Sequence, residues 1–254
     1  MGLYAIAVWL LCGLVTDHLW LQFACFVISS YLMVELNNSN ALIRIYSRMV
    51  SCSFIMMVCM STFLLQSSKG MMLSICVVMS FVMAFLSYQD KYSMGRIFYS
   101  FMSIGIGSMI DVSVLFFVPV MWLAMFFHLQ SMTLRTFISS LFGLVCPYWF
   151  VAVYLIYTND ITLAVEHFSQ LAVFGKVANF SQVPVSALVS ICYITILSVV
   201  GIIHYLRNRV FDKTRTRMFY NTFILFDIFT IAFIILQPQH YATMLIILIV
   251  TTSP

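Results

Sequence analysis

The stretch Met218-Phe219-Tyr220-Asn221-Thr222-Phe223-Ile224-Leu225-Phe226-Asp227-Ile228-Phe229-Thr230-Ile231-Ala232-Phe233-Ile234-Ile235-Leu236 decides the fold class. It is apolar almost throughout, with one carboxylate, Asp227, at its centre. About 20 such residues, each rising about 1.5 Å along a helix, cross the roughly 30 Å of a bilayer's hydrocarbon core. Directly before it, residues 207–217 carry Arg207, Arg209, Lys213, Arg215 and Arg217. Basic clusters of this kind stay on the cytoplasmic side of a membrane.

The same pattern recurs along the chain. Residues 49–66, 71–88, 136–157 and 183–205 read as further spans, with Lys69-Gly70 and Gln89-Asp90-Lys91 punctuating the first pair. Of the 254 residues, 63% are apolar, 16% aromatic and 8% charged. A soluble domain has roughly 45–50% apolar and about 25% charged residues. So few charges cannot solvate a globule, which excludes soluble enzymes, disordered tails and disulfide-rich secreted modules.

The net charge of +4 is small, and no basic stretch alternates with exposed aromatics, so no nucleic-acid partner is expected. The seven cysteines all fall in apolar runs without a CxxC pair. They read as small apolar packing residues, not as a metal or redox site. No basic residue precedes the first apolar run and no Ala-x-Ala site follows it, so no signal peptide is expected.

Two stretches are too long for one span and short for two. Residues 2–34 are interrupted by Asp17-His18, and residues 97–127 by Asp111 after Gly105 and Gly107. Loop charge chooses between a hairpin of short helices and one long tilted helix. With two hairpins and a cytoplasmic N-terminus, every basic residue except Lys69 and Lys176 faces the cytoplasm. A single crossing at 97–127 would turn the 207–217 cluster outward, against the positive-inside rule. The hairpin reading follows.

Residues 161–178 place Ile161, Ala164, Val165, Phe168, Leu171 and Ala172 at helical spacing, with Thr162, Glu166, Ser169, Gln170 and Lys176 opposite. That predicts an amphipathic helix lying on the outer membrane surface. The last apolar run, 241–250, is too short to cross, and reads as the start of a span cut at its C-terminus.

Catalytic fingerprints are absent: there is no GxxxxGK[ST], HExxH, GxSxG or GxGxxG, and no cofactor or metal is expected. Ser103/Gly107, Ser139/Gly143 and Ser186/Ser190 fit close small-residue contacts between helices.

The acids carry more information. The topology sets Asp17, Asp111, Asp160 and Glu166 at the outer face, level with His18, His167 and His240. A carboxylate beside an imidazole there serves as a general base, a metal-ligand pair or a proton relay; the alternative is a polar helix end facing headgroup water. Asp227 lies mid-span, where an ionised side chain costs about 2.5–3.5 kcal/mol on insertion scales. It reads as a proton or cation site, as the polar wall of a substrate cavity, or as one end of an interhelical hydrogen bond to a Ser, Thr or Tyr. On the inner side, Asn38-Ser39-Asn40 reads as the cap of a short helix over 41–48. That helix would align Arg44 and Arg48 to grip a lipid phosphate or to anchor the topology.

The run from Tyr31 to Arg44, Tyr-Leu-Met-Val-Glu-Leu-Asn-Asn-Ser-Asn-Ala-Leu-Ile-Arg, resembles the uncharacterised multi-pass inner-membrane proteins of Bacteroides-type bacteria. Leu144-Val145-Cys146-Pro147-Tyr148-Trp149-Phe150 carries a second part of that likeness, which implies localisation in the bacterial inner membrane. A looser similarity is to membrane glycosyltransferases that use polyprenyl-phosphate sugars. They have a cytoplasmic N-terminus, an outer-face carboxylate after the first span and an outer interfacial helix, positions that Asp17 and residues 161–178 match. Their long first outer loop shrinks here to a few residues around Asp17.

The chain is therefore expected to be a single integral membrane domain over 1–254. Its fold is an all-α polytopic transmembrane bundle of about 9–10 spans, including two short-helix hairpins and one outer amphipathic helix. The leading functional expectation is handling of a lipid-linked substrate at the outer face. Asp17 would act as base, Asp111 as second carboxylate or metal ligand, and Arg44 and Arg48 would bind a polyprenyl phosphate or other anionic lipid. The alternatives are a transporter or flippase using Asp227 as its ion or proton site, or a non-catalytic subunit holding membrane protein partners.

Overall fold

The computed structural model describes residues 1–40, 48–158, 161–169, 171, 180 and 183–254. Among these, twelve α-helices and no strand are present. The chain is an all-α helical bundle and a membrane protein. Among the described residues, five helices are long and apolar enough to cross a bilayer.

The first acid-broken stretch folds as α1 (Gly2–Leu11) and α2 (Trp20–Asn40). The turn between them uses left-handed backbone at Gly13 (φ 92°) and His18 (φ 52°). At φ 92° a side chain would be strained at Gly13 whatever the space around it, so glycine suits the turn there. Trp9 then packs its ring against Phe23 and Phe26, at 5.4 and 5.6 Å between centroids, laying α1 back against α2. The two halves are unequal, because α2 continues well past Val34. Asn38-Ser39-Asn40 are themselves helical within α2, and Asn40 Nδ2 donates back to Leu36 O at 2.9 Å. The expected helix over 41–48 falls, except for Arg48, outside the described residues.

The next apolar run is split. α3 (Met49–Met60) stops at buried Ser61, and a single turn, α4 (Thr62–Leu65), follows. α5 (Ser68–Phe85) is capped by the Ser67 hydroxyl, which accepts from Gly70 N at 3.2 Å. Lys69-Gly70 therefore belong to its first turn and do not interrupt the chain.

The second acid-broken stretch is α6 (Met94–Ile110), a 3₁₀ turn Val112–Phe116, and α7 (Phe117–Phe127), with Asp111 at the break. α8 (Leu134–Thr158) carries Pro147 in its interior and forms the most extensive helix pair with α6. The expected Ser139/Gly143 contact appears at that crossing, whereas the Ser103 and Ser190 hydroxyls bond to Tyr99 O and Ser186 O of their own helices. Ser139 Oγ donates to Met94 O at 2.7 Å, and Gly143 lies directly over the Phe98 carbonyl. α9 (Ile161–Ser169) realises the N-terminal half of the expected amphipathic helix; most of 170–178 lies outside the described residues.

α10 (Val185–Asn208) and α11 (Thr214–Leu236) are long spans, and α12 (Tyr241–Thr252) is short. Residues 243–251 of α12 are buried throughout, against α3, α5, α10 and α11. An aromatic seam packs beside it. Phe85 stacks on Phe219 at 4.4 Å, and Phe81 meets Phe226 edge-on at 4.9 Å.

Candidate functional site

α12 is tied at both ends to a carboxylate. Thr243 Oγ1 in its first turn donates to Asp111 Oδ2, and Thr251 Oγ1 in its last turn donates to Asp227 Oδ1. Eight residues at about 1.5 Å each separate the two ties by about 12 Å. A helix carries partial positive charge at its N-terminus and partial negative charge at its C-terminus. The same helix thus favours an ionised carboxylate at Asp111 and a neutral one at Asp227.

Proton counting agrees. Asp111 caps the 3₁₀ turn: Oδ1 accepts from Ser113 N at 2.9 Å and from Ser113 Oγ at 2.6 Å, while Oδ2 accepts from Thr243. Every neighbour donates, as a carboxylate requires. Burial pushes this carboxyl up, but the Ser113 and Thr243 hydrogen bonds and the nearby His240 outweigh it, and Asp111 rests below the ordinary value for an aspartate.

Asp227 differs. It is 4% exposed, on the middle of α11. Ser198 Oγ of α10 donates to Oδ2 at 2.8 Å, and Thr252 Oγ1 stands 3.4 Å from Oδ1. Thr251 Oγ1 has a single proton but also faces Ile247 O at 3.0 Å and Leu248 O at 3.2 Å. A protonated Asp227 resolves that competition: the carboxylic acid donates to Thr251, and Thr251 donates to its own helix. A protonated Asp227 can donate to Thr251, and a carboxylate there accepts from Ser198, Thr251 and Thr252.

Asp227 is also reachable. A cavity of about 560 Å³ has Ser198, Asp227, Thr251 and Thr252 at its base. His204, Tyr205 and Asn208 of α10, and Asp212 beyond it, line its other end, with Tyr220, Phe223 and Ile224 of α11 forming a wall. Ser198 and Asn208 are ten residues apart on α10, so the cavity extends about 15 Å along that helix. Its volume is that of a site for a small organic molecule, which typically occupies about 300–1,000 Å³.

The other residues singled out from sequence are scattered. Asp17 is exposed on the α1–α2 turn, and no hydrogen bond or contact joins it to Asp111. Arg48 is exposed at the start of α3, and Arg44 and Asp160 lie outside the described residues. Glu166 is exposed on α9, whereas His167 Nε2 lies 3.0 Å from Ser108 O and docks α9 onto the end of α6. Among the described residues, no group of three or more His, Cys, Asp or Glu is placed to hold a metal ion.

Sequence reasoning missed Thr243, Ser198, Thr251 and the Tyr205/Tyr220 pair. The only available signal was that a mid-span acid needs a hydroxyl somewhere. No protein-family model, curated protein or solved structure matches the chain.

Proposed function

We propose that the protein is a proton-coupled transporter of the bacterial inner membrane, with Asp227 carrying the coupled proton. The observation that supports this reading is a buried mid-span carboxyl at the base of a cavity large enough for a small organic molecule. A protein that moves a solute against a proton needs one group that binds and releases that proton within reach of the solute. Asp227 meets both requirements. With the N-terminus cytoplasmic, as the placement of the basic residues favours, the His204–Asp212 end of the cavity faces the cytoplasm. Handling of a lipid-linked substrate at the outer face by Asp17 and Asp111 gains less from the geometry, since Asp111 already accepts from Ser113 and Thr243.

The test is reconstitution of the full chain in liposomes loaded with a pH-sensitive dye and held acid inside. Sodium, potassium and tetraphenylphosphonium are then added outside in turn. At least one should discharge the pH gradient in a protein-dependent manner. Asp227→Asn should abolish that discharge, while Asp17→Asn and Asp111→Asn preserve it. Discharge that survives Asp227→Asn overturns the reading, as does its loss in Asp17→Asn with Asp227→Asn unaffected.

A further inference from the structure

We infer that the cavity above Asp227 binds a monovalent organic cation with an apolar body, which exchanges with the Asp227 proton. This rests on the transport reading and names the substrate class of the same site.

Charge sign comes first. The ionisable groups lining the cavity are Asp212, Asp227, His204, Tyr205 and Tyr220, and no lysine or arginine is among them. Arg209 and Arg217 lie near Tyr205, outside that lining. The cavity therefore offers the Asp227 carboxyl to its occupant, with no lysine or arginine in its lining. An anionic occupant would face Asp227 at the base with nothing to neutralise it. A cation meets a partner there, in a low-dielectric site where pairing matters most.

The walls add a second argument. Tyr205 and Tyr220 stack at 5.1 Å, and both hydroxyls are engaged. Tyr205 donates toward Arg217 O and Asn221 Oδ1, and Tyr220 donates to Pro254 O at 3.3 Å. With the hydroxyls held, the rings, together with Phe223 and Ile224, form the available surface. Aromatic faces attract organic cations through their ring quadrupole. The size of the cavity argues against a bare ion. About 560 Å³ exceeds by more than tenfold the roughly 30 Å³ that one water molecule occupies.

Exchange follows from counting charge. When Asp227 carries its proton the empty site is neutral, with that proton shared toward Thr251. When a monovalent cation enters, the proton leaves Oδ1 for water in the cavity, and Ser198 continues to donate to Oδ2. One positive charge arrives and one departs, so the site stays neutral in both states. Proton and cation then exclude each other, and each weakens the other's binding by the same factor.

The experiment uses the purified full chain in detergent, with tetraphenylphosphonium as probe and tetraphenylborate, of the same shape and opposite charge, as control. Calorimetry in buffers of different ionisation enthalpy should show close to one proton released per tetraphenylphosphonium bound. Affinity should rise about tenfold per pH unit while Asp227 is protonated. Tetraphenylborate should release no proton. Asp227→Asn, checked for folding by its melting curve, should release none with either probe. Tyr220→Leu should weaken tetraphenylphosphonium binding about tenfold and leave the proton count intact. Two outcomes overturn the inference: tetraphenylphosphonium binding without proton release, or proton release driven by tetraphenylborate. If either occurs while Asp227→Asn still abolishes discharge of the liposome pH gradient, the substrate class is wrong and the transport reading stands.

Discussion

Gly143 on α8 and Phe98 on α6 meet backbone to backbone: a Cβ built on Gly143 would stand 2.4 Å from the Phe98 carbonyl oxygen and 3.2 Å from Met102 N. Nothing flexible lies in the way that could yield, so any side chain must push the two helices apart. Overpacking of this kind costs about 1–3 kcal/mol. Gly143→Ala should destabilise the bundle by that amount, and Gly143→Leu by more, in a reversible unfolding titration in mixed micelles. Gly95 provides the control, because a Cβ added there would meet nothing within 4 Å. Gly95→Ala should be neutral or up to about 1 kcal/mol stabilising, through helix propensity alone. Equal effects at the two positions would remove the close crossing as a determinant of the fold.

The two carboxyls at the ends of α12 should respond differently to the same change. Asp111 accepts from three donors as an anion, so Asp111→Asn places an amide NH₂ against groups that also donate. A loss of about 1–3 kcal/mol is expected. Asp227→Asn replaces a neutral acid with a neutral amide that can still donate to Thr251 and accept from Ser198, and should cost less than about 1 kcal/mol. Removing the hydroxyl of Thr251 with valine should cost about 1 kcal/mol while leaving Asp111 undisturbed. Melting curves of the three variants in one detergent decide the matter. A larger loss at Asp227→Asn than at Asp111→Asn would mean that Asp227 is ionised at rest.

His128 sets an expectation about pH. It ends α7 in the turn before α8, half-buried, and its Nδ1 is buried without a hydrogen-bond partner. Burial holds the imidazole below its ordinary value of 6.5, since the charged form is poorly solvated there. The unfolded chain therefore takes up a proton at a higher pH than the folded one. The stability linked to His128 is complete above about 6.5 and is lost as pH falls below it. Melting temperature should drop between pH 7 and 5 in the wild type, and drop less in His128→Gln. A parallel decline in both proteins would assign the loss to other groups.

Much of this architecture was readable because an acid inside an apolar run cannot be ignored by the chain. Asp17 and Asp111 each mark a helix break, and the left-handed residues Gly13 and His18 complete the first turn. The Ser61 break in the third apolar run was not readable, since a lone serine is tolerated within a helix and no charge or proline marks the site. Asn38-Ser39-Asn40, good capping residues, are themselves helical, with Asn40 donating to Leu36 O inside α2. The central place of α12 was hidden because it is apolar on every side, so its periodicity names no buried face. Asp227 was visible from its position alone, but its partners lie 29 and 24 residues away on other helices. Spacing along the chain holds no trace of such pairings.

Orientation is open to a direct measurement, and it governs which compartment the cavity meets. The basic stretch 207–217 lies between α10 and α11, at the end of the bundle where His204, Asn208 and Asp212 line the cavity. Thr16 is exposed on the α1–α2 turn and Thr214 at the start of α11, so a cysteine at either site presents its thiol without disturbing the core. The topology inferred from charge sets these two positions on opposite sides of the membrane. In intact cells of a variant lacking the native cysteines, a membrane-impermeant maleimide should label Thr16→Cys and spare Thr214→Cys, and permeabilisation should make both reactive. Labelling of Thr214→Cys from outside would invert the bundle. The Asp227 cavity would then open away from the cytoplasm, so the exchange of proton for organic cation would load its cation from the outside and run inward.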